Sequence, residues 1–189
     1  PTGAVCSLEY YKLLADFALF HDIIIVNDAA YNEIIFKGKP VSIMQVDEAK
    51  KCAIEFGSLS KSYNMAGWRI GYAVGNRDIL RKLAAVKSNI DSGQFGAIQY
   101  AAAQALNNGD RFMSYLRDVY KSRRDETTKA LSSAGIDYFI PDGSFYIWCK
   151  TPDHISSSEF AYKLADKSGV LVTPGYAFGK SCGGYFRLS

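Results

Sequence analysis

The stretch Ser58–Gly71, SLSKSYNMAGWRIG, decides how this chain is read. It follows the apolar run CAIEF (Cys52–Phe56), a strand candidate, and sets Lys61 among small hydroxyl residues where the chain leaves that strand. A lysine at the rim of a sheet can be partly desolvated, which lowers its pKa and favours imine chemistry. Taken alone, Lys61 is an ordinary surface lysine, the commonest fate of that residue type. Its neighbours add weight. Ser58 and Ser60 bring hydroxyl donors, and Arg69 brings a guanidinium fork suited to a phosphate.

Upstream, the order of elements is that of an α/β sheet. SLEYYKLLADFALFHD has Ser7 as an N-cap, Glu9 in the first turn and apolar residues at positions 10, 13, 14, 17 and 20, which predicts an amphipathic helix. IIIV (Ile23–Val26) follows, a β-branched run of the kind buried on both faces of a parallel sheet. NDAAYNE then puts Asp28 at the carboxyl end of that strand, where α/β folds place their ligands. By itself Asp28 is as well read as the start of a turn. Tyr31, three residues on, either brings its hydroxyl to the same edge or packs. After IIF and a polar crossover containing KGKP come the strand CAIEF and a third strand, RIGYAVG (Arg69–Gly75). Asp28 and Lys61 are thereby expected at one rim of one sheet.

Downstream the pattern turns helical, through DILRKLAAVKS, AIQYAAAQAL and a charged helix over Arg111–Ser133 that Gly135 closes. The texture then changes. GSFYIWCK (Gly143–Lys150) reads as a strand, SSSEFAYKLADKSG as a capped helix, and VLVTPG and GYFRLS as strands. A small α+β domain over 135–189 is expected, after a larger one over 1–134. Arg187, alone in an apolar strand, needs either a partner or an edge position where its head reaches solvent.

Composition narrows the classes. A net charge of +3 is too small to imply a nucleic-acid or membrane partner, and KSRRDE alternates sign like a solvated helix face. Cys6, Cys52, Cys149 and Cys182 are scattered, and His21 and His154 stand apart, so neither a zinc site nor a disulfide framework is predicted. The cysteines read as reduced thiols of a cytosolic protein. The 26 aromatic residues (13 Tyr, 11 Phe, 2 Trp) suit a site lined by rings. The chain opens on PTGAV, with proline in place of methionine, and is read as a C-terminal portion of something longer.

Together these signals have a resemblance. The chain resembles the fold-type I pyridoxal-phosphate aminotransferases over nearly its whole length. PTG looks like the tail of the family's N-P-T-G motif, DAAY like its D-x-x-Y motif, SLSKSYNMAGWRIG like its cofactor-lysine motif, and YFRLS like the strand carrying the carboxylate-binding arginine. KSNIDSGQFGAIQYAA (Lys87–Ala102), with GVLVTPGYAFG, is more similar to the LL-diaminopimelate aminotransferase group than to aspartate or aromatic aminotransferases.

The resemblance implies a large three-layer domain with a mainly parallel sheet, then a small C-terminal domain. It implies that Lys61 holds pyridoxal phosphate as an imine and acts as general base, and that Asp28 pairs with the pyridine nitrogen. Tyr31 would bond the ring's 3-oxygen, Ser58, Ser60 and Arg69 the phosphate, and Arg187 the substrate α-carboxylate. Ser92, with Asn89 and Asp91, would face a neighbouring subunit's site in a homodimer; Asp91 or Ser92 is alternatively a helix N-cap. The implied partners are an amino acid, LL-diaminopimelate or an acidic one, and a 2-oxo acid such as 2-oxoglutarate, with no nucleic acid or membrane. Two alternatives stay open: another reaction on the same scaffold, such as a β-lyase or decarboxylative synthase, and a non-catalytic sensor domain of a transcription regulator. The resemblance also implies roughly twice this length, so the chain by itself is expected to be inactive.

Overall fold

In the computed structural model, which describes residues 1–189, Ser7 caps the first helix as its sequence predicts. Helix α1 (Leu8–Phe20) begins where Ser7 Oγ accepts from the Tyr10 amide at 3.1 Å. Its buried face is Tyr11, Ala15 and Ala18. Of the apolar positions 10, 13, 14, 17 and 20, only Leu14 packs against the core, while Leu13 is 70%, Phe17 55% and Phe20 85% exposed. The pattern located the helix but not its inner face, because residues 11, 15 and 18 are the ones that meet partners within this chain.

Strand β1 (Ile25–Asp28) pairs in parallel with β2 (Ala53–Ser58), which the short helix α2 (Ala49–Cys52) precedes. β1 is an edge strand, and Val26 is 63% exposed, so the expected burial on both faces is not found. Helix α3 (Leu59–Ser62) follows β2 directly, and β3 (Gly71–Gly75) then returns antiparallel to β2. The expected mainly parallel sheet is thus one parallel and one antiparallel pairing. The segment joining β2 to β3 holds only α3 and a three-residue 3-10 turn, Ala66–Trp68, with no crossover helix to carry a parallel return.

Tyr11, Ala15, Ile43, Val46, Ala49 and Ala53 form the core between α1, α2 and the sheet. Helices α4 (Arg77–Ile90), α5 (Gly96–Asn108) and α6 (Asp110–Ser133) follow. Asn76 caps α4, its Oδ1 accepting from the Asp78 and Ile79 amides at 3.0 Å each. These elements, with α6 only as far as Arg117, make one compact unit, Val5–Arg117.

Asp118–Ser189 form a second unit together with Pro1–Ala4. Its strands are β4 (Tyr138–Phe139), β5 (Ile147–Lys150), β6 (Thr173–Pro174) and β7 (Tyr185–Leu188), with helix α7 (Ser157–Ser168) between β5 and β6. The sheet order is β4-β5-β7-β6, antiparallel throughout. Strand β4 was not anticipated from the sequence, and of the run VLVTPG only Thr173 and Pro174 enter β6. Leu131, Ile147, Cys149 and Phe186 form the core on one sheet face. Gly3, at φ +72°, accepts from the Asp142 and Gly143 amides at 3.0 Å each, and a Cβ there would overlap Pro141. The PTG turn therefore requires its glycine.

Candidate active site

Two adjacent strands end together in the first unit. The parallel register sets Asp28 opposite Phe56, and the Ala29 amide donates to the Phe56 carbonyl at 2.9 Å. Asp28 Oδ1 accepts from the Ala30 amide at 3.2 Å, so the side chain does start a turn while standing exposed at the strand's carboxyl end. Tyr31 is half-buried in that turn, and its carbonyl accepts from the Ile34 amide at 3.0 Å.

β2 passes into α3 through Ser58, whose Oγ accepts from the Ser60 amide at 3.2 Å. Ser62 Oγ donates back to the Ser58 carbonyl at 3.3 Å. These bonds fix the turn that carries Ser58, Ser60 and Lys61, all half-buried. Antiparallel pairing sets Ser58 opposite Gly71, and the Leu59 amide donates to the Ile70 carbonyl at 3.3 Å. The chain thus brings Arg69 back beside the turn that holds Lys61. Arg69 is exposed and takes a left-handed conformation, φ +54°, with its guanidinium donating to the Ala66 carbonyl at 2.8 Å. A non-glycine residue held at positive φ is uncommon and clusters at ligand-binding turns.

Behind the rim lies a group that sequence reasoning missed. Glu55 is only 6% exposed, and its carboxylate accepts from Asn27 Nδ2 at 2.8 Å, Ser42 Oγ at 2.7 Å and the Ile43 amide at 3.1 Å. A charged residue inside CAIEF was the available signal, since a buried carboxylate must be bonded. Glu33, just past Tyr31, lies 3.8 Å from Arg117. Burial pushes its carboxyl above the ordinary value, more than the guanidinium and the other nearby carboxylates change it.

The other predicted residues lie elsewhere. Asn89 is in the last turn of α4, where its Nδ2 donates to the Ala85 carbonyl at 2.8 Å. Asp91 caps the end of α4 rather than the start of a helix, and pairs with Lys87 at 2.7 Å. Ser92 is exposed, its carbonyl accepting from Lys87 Nζ at 3.0 Å. Neither residue is the N-cap of α5, which Phe95 occupies without a side-chain bond.

Arg187 belongs to the second unit, in β7 opposite Trp148. Its guanidinium carbon sits 3.9 Å from the Tyr146 ring centroid and 4.7 Å from that of Phe178. Its Nε is buried without a hydrogen-bond partner. Arg187 is thus held by rings rather than spread into solvent.

The first rim gathers a carboxylate, a phenol, an amine, two hydroxyls and a guanidinium on strand ends and the turns that follow them. That is the place where α/β domains hold small charged molecules, at the carboxyl edge of a sheet. The profile of the family described as aminotransferase class I and II matches residues 1–189, and the chain belongs to that family.

LL-diaminopimelate aminotransferase of Aquifex aeolicus (strain VF5) is 48% identical over 190 residues, covering 100% of this chain and 49% of the relative. The enzyme of the same name from Oleidesulfovibrio alaskensis is 44% identical, again with 100% and 49% covered. Among solved structures, apo BacF from Bacillus subtilis superposes with a TM-score of 0.96 at 36% identity, over 100% of this chain and 49% of that one. An aminotransferase from Staphylococcus aureus gives 0.95 at 37% identity, over 100% and 50%. The chain spans about half the length of the curated relatives it matches.

The family's enzymes use pyridoxal phosphate, and the donor set fits it. A carboxylate suits a protonated pyridine nitrogen, a phenol suits the ring oxygen, and hydroxyls with a guanidinium suit a phosphate.

Proposed function

We propose that the protein carrying this chain transfers an amino group between an amino acid and a 2-oxo acid, with LL-diaminopimelate and 2-oxoglutarate as the leading pair. The observation that carries this reading is the common edge of β1 and β2. Asp28 ends one strand, the Ser58–Lys61 turn leaves the other, and the pairing of Ser58 with Gly71 returns Arg69 beside that turn. The substrate rests on the names of the relatives.

When bound, pyridoxal phosphate supplies a ring that accepts the electron pair left on the substrate's α-carbon. The chain's residues do the rest. Lys61 Nζ would hold the cofactor and, once the incoming substrate amine has displaced it, would be the base that takes and returns the α-proton. The Asp28 carboxylate keeps a proton on the ring nitrogen, because a neighbouring negative charge raises that nitrogen's pKa. Tyr31 bonds the ring oxygen, Ser58, Ser60 and Arg69 hold the phosphate, and Arg187 binds the α-carboxylate bidentately.

In this reading residues 135–189 are part of a small C-terminal domain and residues 1–134 part of a cofactor domain, although contacts group Pro1–Ala4 and Asp118–Ser133 with the second unit. The protein works as a homodimer in the cytoplasm, with Ser92 reaching the neighbouring site. The exposure of Ile90 at 77% and Phe95 at 73%, flanking Ser92, supports a subunit interface there. The four unpaired cysteines suit a reducing compartment.

The test is nitrogen transfer. Incubation with 15N-labelled LL-diaminopimelate and 2-oxoglutarate is expected to give 15N-glutamate, and the Lys61→Ala variant is expected to give none. Release of pyruvate and ammonia from an amino acid, without labelled glutamate, would instead indicate a β-lyase.

A further inference from the structure

The two faces of the second sheet differ. Along β7, Phe186 and Leu188 pack into the core, whereas Tyr185 and Arg187 point to the other face, as strand alternation requires. Across β5, Ile147 and Cys149 join the core, so Trp148, together with Tyr146 just before the strand, lies on the face of Arg187. That face is a cluster of rings. Trp148 stacks on Tyr185 at 5.6 Å and 13°, and meets Phe178 edge-on at 5.3 Å and 85°. Phe178 comes from a separate 3-10 turn, Gly175–Phe178.

We infer that Tyr146 and Phe178 are positioning residues that hold the Arg187 guanidinium for a substrate carboxylate. This rests on the reading of Arg187 as the carboxylate binder. Both rings lie against the guanidinium carbon, at 3.9 and 4.7 Å from their centroids. Contacts of this kind engage the face of the guanidinium and leave its in-plane N–H groups for oxygen acceptors. Arg187 Nε, buried and without an acceptor, is a donor that this chain leaves unanswered. A carboxylate is the planar two-oxygen group that matches the fork. An arginine on a free side chain would have to be ordered on binding, at a cost in side-chain entropy. Here the rings order it beforehand, and Trp148 buttresses Phe178.

The rings therefore set how strongly the site prefers a substrate bearing an α-carboxylate. L-Glutamate and 4-aminobutyrate differ only by that group, so the ratio of their kcat/KM values reads the preference directly. In the protein carrying this chain, loaded with pyridoxal phosphate, Tyr146→Leu and Phe178→Leu are expected to lower the ratio about threefold to thirtyfold each, the range a cation–π contact carries. The loss should appear as a raised KM for glutamate, with 4-aminobutyrate unaffected. Calorimetry should show weaker binding of glutarate, which cannot react, by a similar factor. Tyr146→Phe keeps the ring and should restore both values.

Equal losses on both substrates would make the rings merely structural and overturn the inference. Arg187→Ala separates the levels. If it lowers the ratio while the leucine variants do not, the bracket fails alone. If it leaves the ratio unchanged, the carboxylate role of Arg187 fails, and the inference with it.

Discussion

Asn27 and Glu55 sit opposite each other in the parallel β1–β2 pair, and Asn27 Nδ2 donates to Glu55 Oε2 at 2.8 Å. Through Ser42 and the Ile43 amide, the same carboxylate ties the crossover between β1 and β2 to the strands that present Asp28 and Lys61. Glu55→Ala strands three donors in a buried place and is expected to cost about 2–4 kcal/mol in urea unfolding. Glu55→Gln should cost less than half of that. Its oxygen can replace Oε2, and its amide can donate to Ser42 Oγ, which then serves as acceptor.

Arg69 carries opposing demands. Its left-handed conformation costs about 1 kcal/mol, which glycine avoids. Arg69→Gly is therefore expected to leave the cofactor-free protein as stable or slightly more so by thermal melting. The same change should weaken pyridoxal phosphate binding about tenfold to a hundredfold, the worth of one charge-assisted bond to a phosphate.

Glu33 gives stability a pH dependence. Burial is the largest influence on its carboxyl and raises it above the ordinary 4.5 despite Arg117. The folded protein then holds this proton to higher pH than the unfolded chain does. Its contribution is full below pH 4.5 and is lost as pH rises through the folded value. In urea unfolding across that window, Glu33→Gln should show a shallower decline of stability with pH than the parent; an unchanged slope would place the titration elsewhere.

Cys149 is fully buried, and burial pushes its thiol up to about 12. Iodoacetamide at pH 8 is expected to label it last of the four cysteines, and only after unfolding, because the thiolate is the reactive form. Peptide mapping of a labelling time course checks the order.

The sequence exposed the rim better than its support. Lys61, Asp28 and Arg69 were legible because strand ends and turns are local features, and the chemistry of each side chain is carried by its type. Glu55 was passed over inside CAIEF, although the argument that singled out Arg187 in YFRLS applies to it equally. Its partners come from residues 13 and 28 positions away in the chain, which no local pattern joins. Phe178 was likewise given no role, since its contact with Arg187 depends on how the Gly175–Phe178 turn folds over the sheet. Periodicity found α1 but chose the stripe holding Leu13 and Phe17, because the inner face of a helix is set by whatever packs on it.

The central claim is that Lys61 binds the cofactor covalently. Borohydride reduction of the protein in the presence of pyridoxal phosphate, followed by peptide mass mapping, tests it most directly. The account predicts a pyridoxyl mass on the peptide containing Lys61, abolished in Lys61→Ala. With the cofactor in excess, an unlabelled Lys61 would contradict it.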